Sequence, residues 1–143
     1  MVYSMTQSTL VLLKPDAVAR NLTGEILARI ERKGYQIAAL ELRTAGTQVL
    51  HKHYEEHAGR SFFDSLVDFM ASGPLVAVVV TGDRVIDGIR SVCGTTDPTT
   101  AAPGTIRGDF GRDWGTDVQQ NLIHASDSPE SAAREIALWF PSH

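Results

Sequence analysis

Residues 72–92 read SGPLVAVVVTGDRVIDGIRSV, and this stretch decides the fold. Ser72-Gly73-Pro74 punctuates the chain, because proline lacks a backbone donor and pushes its predecessor out of helical geometry. The run from Leu75 to Thr81 is Val-rich and does not alternate with polar residues, as expected of a strand covered on both faces. Beyond it, Asp83 is placed to cap a helix whose Val85, Ile86, Ile89 and Val92 recur at helical spacing.

Working upstream, Thr9 to Lys14 (TLVLLK) is a second short apolar strand, stopped by Pro15. Leu22, Ile26, Leu27 and Ile30 then mark one face of an amphipathic helix, with Gly34 as its left-handed stop. Tyr35 to Leu42 reads as another strand. Thr47 to Met70 holds two helical patterns parted near Gly59, the second capped by Ser61 and carrying Phe62, Phe63, Leu66, Val67 and Met70. Working downstream, residues 94–119 show no period, and so long a loop is uncommon unless functional. Gln120 to His124 is a short strand, and Ser128-Pro129-Glu130 opens a helix to Phe140. Without its extra helices the order is βαββαβ. This is an α+β chain with a ferredoxin-like sandwich, a four-stranded antiparallel sheet with helices packed on it. Residues 1–143 are read as one domain, with 1–8 a loosely ordered N-terminal extension.

The formal charge of −4 disfavours a polyanion coat, so no specific nucleic-acid partner is expected. An anionic substrate would need a few local Lys and Arg residues. No apolar run approaches the ~20 residues of a membrane span, and no secretion signal is visible. Cys93 is the only cysteine, compatible with a reducing, cytoplasmic location and an inert buried thiol. Neither G-x-x-x-x-G-K-[ST] nor G-x-G-x-x-G occurs, which removes the P-loop and Rossmann readings. Residues 51–57 (HKHYEEH) place His53 and His57 one helical turn apart, a spacing zinc can use, but Tyr54 stands where a zincin helix needs glutamate. His124 ends a strand just before a capped helix, where reactive groups are commonly presented.

Several motifs now converge. Lys14-Pro15-Asp16, His53-Tyr54 and His57 before Phe62-Phe63, Ser72-Gly73-Pro74, Pro103-Gly-Thr-Ile-Arg-Gly-Asp-Phe110, Asn121-Leu-Ile-His124, Ser126-Asp127-Ser128 and Arg134-Glu135-Ile136 follow one another in order. Together they make the chain resemble nucleoside diphosphate kinases from about residue 9 to Pro141.

The resemblance implies a phosphotransferase that moves a terminal phosphoryl group from a nucleoside triphosphate to a nucleoside diphosphate through a phosphohistidine on His124. Such an exchange is nearly thermoneutral, so its covalent carrier should be energy-rich, as an N-phosphorylated imidazole is. Near pH 7 a histidine is also mostly neutral, with its lone pair available. By resemblance, Nδ1 attacks, Glu135 fixes the ring and Ser126 holds that carboxylate. Lys14, Arg90, Thr96 and Arg107 take the phosphates, Tyr54 and Asn121 lie near the transferred phosphate and the sugar hydroxyls, and Phe62 stacks on the base. Mg²⁺ is expected on substrate phosphates, with no protein ligand nominated. A homo-oligomer is implied, six chains favoured over four. His51, His53, His57 and His143 are not proposed as carriers, and His57 is assigned to the cleft wall.

Three departures from the family pattern stand out: a longer stretch between Phe110 and Asn121, Ala125 where glycine is more usual, and Ser61 where proline is common. Ala125 implies that positive φ is not needed there. In a straight strand Asn121 and His124 would face opposite sides, so a bulge or an early strand end is required. Two other readings are a nucleotide-binding regulator without turnover and a zinc hydrolase on His53 and His57.

Overall fold

The computed structural model describes residues 6–143, so residues 1–5 of the expected extension lie outside the described residues. In chain order the elements are β1 (Thr6–Leu13), α1 (Pro15–Ala19), α2 (Thr23–Arg32), β2 (Gln36–Arg43), α3 (Thr47–His53), α4 (Phe63–Met70), β3 (Leu75–Asp83), α5 (Val85–Cys93), α6 (Ile106–Phe110), β4 (Ile123–Ala125) and α7 (Pro129–Trp139). A 3-10 turn over Glu55–His57 follows α3. The strands form a four-stranded sheet ordered β2-β3-β1-β4 with every pairing antiparallel. This is the strand order of the expected ferredoxin-like sandwich.

Side chains on a strand alternate between the two faces of its sheet, and here both faces are covered. Val11, Leu13, Val76, Val78 and Val80 pack with Ile26 and Ile30 of α2 and Ile86 and Ile89 of α5. Leu10, Leu12, Leu75 and Ala77 pack on the other side with Leu50 of α3, Met70 of α4 and Trp139 of α7. That double cover is why β1 and β3 read as unbroken apolar runs. Each fully buried Leu, Ile or Val contributes roughly 1.5–3 kcal/mol relative to exposure. Among the described residues, no helix is long and apolar enough to cross a membrane.

The structure corrects several local expectations. Residues 6–8 are not a loose extension: β1 begins at Thr6, which pairs with Asp83, and the Thr6 hydroxyl donates to Asp83 Oδ1 at 2.9 Å. Asp83 therefore belongs to the sheet and does not cap α5. The N-cap is Arg84, at φ +53°, and Gln7 Oε1 accepts from the Ile86 N–H at 3.4 Å. Ser61 does not cap α4, whose N-cap is Phe62 without a side-chain hydrogen bond. β4 is shorter than Gln120 to His124. Two five-residue helices, α1 and α6, are too short to leave a periodic signal. The longer 111–120 stretch is held by its aromatic, Arg20 and Arg112 lying 5.6 and 4.3 Å from the Trp114 ring centroid.

The helix α6 breaks the long loop and turns Arg107 inward. Thr105 caps it by accepting from the Gly108 N–H at 3.0 Å. A Cβ on Gly108 would overlap the Ala102 carbonyl oxygen and lie 2.8 Å from Thr105 Oγ1. Backbone cannot yield as a side-chain tip can, so Gly108→Ala should cost about 1–3 kcal/mol by urea denaturation. A midpoint equal to wild type would show that the turn tolerates the methyl group.

Candidate active site

The cleft is built around the entry to β4. Leu122 has φ +77°, and the Ile123 N–H donates to the Asn121 carbonyl at 2.9 Å. These two features close a γ-turn of the strained, positive-φ kind. The turn ends before the strand begins, so Asn121 is freed from the strand's alternation. This late strand start, at Ile123 and not Gln120, takes the place of the expected bulge or early strand end in reconciling Asn121 with His124, and Ala125 has no positive φ.

His124 sits in β4 opposite Leu12 of β1, and its Nε2 lies 2.8 Å from Oε1 of Glu135 on α7. Burial opposes ionisation of Glu135, but the hydrogen bond and charge of His124, with the Ser126 hydroxyl, hold its carboxyl below the usual range. An ionised carboxylate only accepts, so Nε2 carries the proton and Nδ1 of a neutral ring keeps its lone pair. Ser126 is fully buried behind this pair. Its hydroxyl donates to Glu135 Oε1 at 2.8 Å and accepts from the Leu10 N–H at 3.2 Å.

Cations converge on the same cleft, of about 830 Å³, which Lys14, Arg90, Thr96, Arg107, Asn121 and His124 line. Lys14 Nζ donates to Asn121 Oδ1 at 2.8 Å, and Asn121 Nδ2 donates to the Thr96 carbonyl at 2.9 Å. Burial, then the Arg107 charge, brings the Lys14 ammonium down to about 8. Arg107 gives its guanidinium to backbone carbonyls of Gly94, Asn121 and Ile123. Gly94 has φ +85°, and a Cβ there would meet the Thr105 side chain, so glycine keeps that carbonyl within reach. Arg90, on α5, makes one long contact of 3.5 Å to the Ala125 carbonyl.

Tyr54 also lines the cleft, and its buried hydroxyl has no hydrogen-bond partner among the described residues. Burial, then the Glu135 charge, raises its pKa. Phe62 does not line the cleft directly. It is 39% exposed at the start of α4, 5.3 Å from the ring of His57, which is part of the wall. Cys93 is buried, its thiol pushed up to about 11 chiefly by burial.

From sequence, Trp139 was not singled out, and His53 stood only in the His53-Tyr54 motif and in the zinc reading, with no part beside His124. The His53 ring stands edge-on to His124 with centroids 4.6 Å apart, and its Nδ1 accepts from Trp139 Nε1–H at 3.0 Å. Leu50, His53 and Tyr54 continue one buried stripe, a signal that this histidine faces inward. His53 clusters with His124 and Glu135, not with His57, their ligand atoms within 4.8 Å of one another. A metal on either His53 nitrogen would break the Trp139 bond or set a ring N–H against it.

The chain matches the family model for nucleoside diphosphate kinase over residues 7–143. It is 63% identical to a nucleoside diphosphate kinase of Streptomyces coelicolor over 96% of this chain and 98% of the relative. It is 57% identical to one of Mycobacterium tuberculosis over the same shares. Among solved structures, a Borrelia burgdorferi nucleoside diphosphate kinase, a transition-state mimic with bound vanadate and ADP, superposes with TM-score 0.89 at 35% identity. That match covers 95% of this chain and 88% of that one. A Babesia bovis family protein gives 0.88 at 42% identity, over 94% and 88%.

Burial and then the neighbouring His124 depress the His53 pKa from 6.5 to about 3. As pH falls, the unfolded chain takes up this proton first, so the native state loses stability from pH 6.5 down to about 3. The loss is up to about 1.4 kcal/mol per pH unit. His53→Gln keeps an acceptor for Trp139 and cannot titrate in this window. Urea denaturation between pH 6.5 and 4.5 should give the variant a shallower slope, and equal slopes would exclude His53 as the source.

Proposed function

Because the chain belongs to the nucleoside diphosphate kinase family and is a phosphotransferase, we propose that it exchanges γ-phosphoryl groups between nucleotides by a ping-pong route through phosphohistidine on His124. The observation that carries this reading is the Nε2–H to Glu135 hydrogen bond, which leaves Nδ1 as the free nucleophile in a cationic cleft. The Nδ1 lone pair forms the N–P bond as the P–O bond to the departing diphosphate breaks, its electron pair leaving on that oxygen. Positive charge then grows on the imidazole, and the Glu135 carboxylate balances it without a proton having to move. In the second half-reaction a diphosphate oxygen attacks phosphorus, and the N–P electron pair returns to Nδ1. The ADP and vanadate held by the Borrelia relative support a nucleotide in this cleft.

Phosphoryl transfer needs positioning and charge stabilisation above all. Arg107 suits a fixed donor because backbone carbonyls preset its plane, and Lys14 supplies a compact charge. Arg90 and Thr96, less engaged by the protein, complete the phosphate contacts. The orphaned Tyr54 hydroxyl gains a partner at the transferred phosphate, and Asn121 serves the sugar hydroxyls. Phe62, exposed at the rim, offers a π-face to any base, which favours tolerance of purines and pyrimidines.

Mg²⁺ enters on the substrate. It prefers oxygen ligands in near-octahedral geometry and keeps several waters. The Glu135 carboxylate is occupied by His124 and Ser126, and the His53, His124, Glu135 cluster is rich in nitrogen, so these residues would not hold Mg²⁺ and the ion would be held by the substrate phosphates. When bound there, it neutralises phosphate charge.

We also propose a homo-oligomer, six chains favoured over four. Leu40 and Leu42, 50% and 63% exposed on the edge strand β2, are apolar surface that self-association would cover. The proposed location is the cytoplasm, consistent with the lone buried Cys93.

Phosphoryl exchange from ATP to a deoxynucleoside diphosphate, measured with Mg²⁺, tests the mechanism. Wild type should carry one acid-labile, base-stable phosphate on His124 by mass spectrometry. His124→Ala should lose at least about a thousandfold in turnover, and Lys14→Ala on the order of a hundredfold. Nucleotide binding without turnover by the wild type would point instead to a regulator. Analytical ultracentrifugation should show six chains, and a monomer would remove the assembly proposal.

A further inference from the structure

Asp16 follows Lys14-Pro15 at the start of α1 and does not line the cleft. Its Oδ2 accepts from the Leu122 N–H at 3.1 Å, while the Lys14 N–H donates to the Leu122 carbonyl at 2.8 Å. Both polar groups of the residue at φ +77° are thus held by the junction between β1 and α1. A non-glycine residue persists in that region only where its surroundings over-determine it. Consequences spread from this point. The Asn121 carbonyl receives Arg107 Nε, its side chain bridges Lys14 and Thr96, and His124 follows two residues after Leu122.

We infer that Asp16 is a positioning residue for phosphoryl transfer, acting through Leu122 to hold the γ-turn that sets Asn121 and His124 against Lys14 and Arg107. This rests on the transfer reading proposed above. Asp16 itself does not touch the reacting atoms. Its second oxygen, Oδ1, is buried with no hydrogen-bond partner among the described residues. Burial is also the leading cause that raises its pKa, opposed by the Lys14 charge. The backbone N–H groups of Leu122, Asp16 and Ala17 favour the carboxylate, and of these only Leu122 lies outside α1, so the bond to Leu122 is the one that ties the β1–α1 junction to the turn. An acceptor is what this role requires, whereas a full negative charge is not, so an asparagine oxygen should serve in its place.

The test compares wild type, Asp16→Ala and Asp16→Asn as full chains, at a temperature where circular dichroism shows all three folded. Steady-state ATP-to-dNDP exchange should show kcat of Asp16→Ala reduced about tenfold or more, with a smaller change in KM. Asp16→Asn should restore kcat to within about threefold. Amide hydrogen exchange over residues 121–124 should quicken in Asp16→Ala and return towards wild type in Asp16→Asn. A fully folded Asp16→Ala with kcat within twofold of wild type would overturn the inference. So would an Asp16→Asn as impaired as Asp16→Ala. Should wild type itself transfer no phosphate, the functional reading fails, and unchanged amide exchange in Asp16→Ala would separately show that Asp16 does not pin the turn.

Discussion

A buried carboxylate bonded to one nitrogen of a histidine ring is the constraint from which the rest of the cleft follows. Glu135 is only 5% exposed, and leaving such a group unpaired would cost several kcal/mol. Its partners come from β4 and the turn after it, and the Ser126 hydroxyl is itself tied to the β1 backbone. Sheet and helix must therefore dock in one register for the carboxylate to be tolerated. That register fixes the proton on Nε2 and leaves Nδ1 facing the cleft.

Around this pair, the chain keeps features that a stability-optimised protein would avoid. Leu122 is strained, the hydroxyl of Tyr54 and one oxygen of Asp16 are buried without hydrogen-bond partners among the described residues, and the Arg107 charge adds to burial in lowering the Lys14 ammonium. Such groups are individually unfavourable and collectively useful: they await an anion that satisfies several of them together. Apolar packing on both faces of β1 and β3 offsets their cost, since residues 9–13 of β1 and 75–80 of β3 are all buried. The rigid centre of the sheet and the strained turn at its edge are parts of one arrangement.

Legibility in the sequence tracked the length and regularity of each signal. The buried runs of β1 and β3, the amphipathic face of α2 and the Ser128-Pro129 start of α7 are strong local patterns, and each element formed where its pattern stood. The cap assigned to Asp83 failed because strand pairing claimed that position, and the one assigned to Ser61 failed because α4 begins one residue later. Asp83 was drawn into the sheet by Thr6, and the chain entered α4 through Phe62. His124, Glu135, Ser126, Lys14, Asn121, Arg107 and His53 were visible through family motifs, whereas the pairing of His53 with Trp139 was not. Their contact joins the last residues of α3 and α7, far apart in the chain and unconnected by any motif.

Composition and periodicity by themselves determined the layers and the strand count, because burial acts through patterns a few residues long. Motif order placed the chain among phosphotransferases. What only the tertiary structure decided is how six separated segments share one cleft: which nitrogen of His124 is bonded, that Leu122 turns with positive φ, and that Asp16 and Lys14 grip it from both sides. These are matters of distances near 3 Å between residues up to about a hundred positions apart, and a hydrogen bond of that reach leaves no periodic trace along the chain.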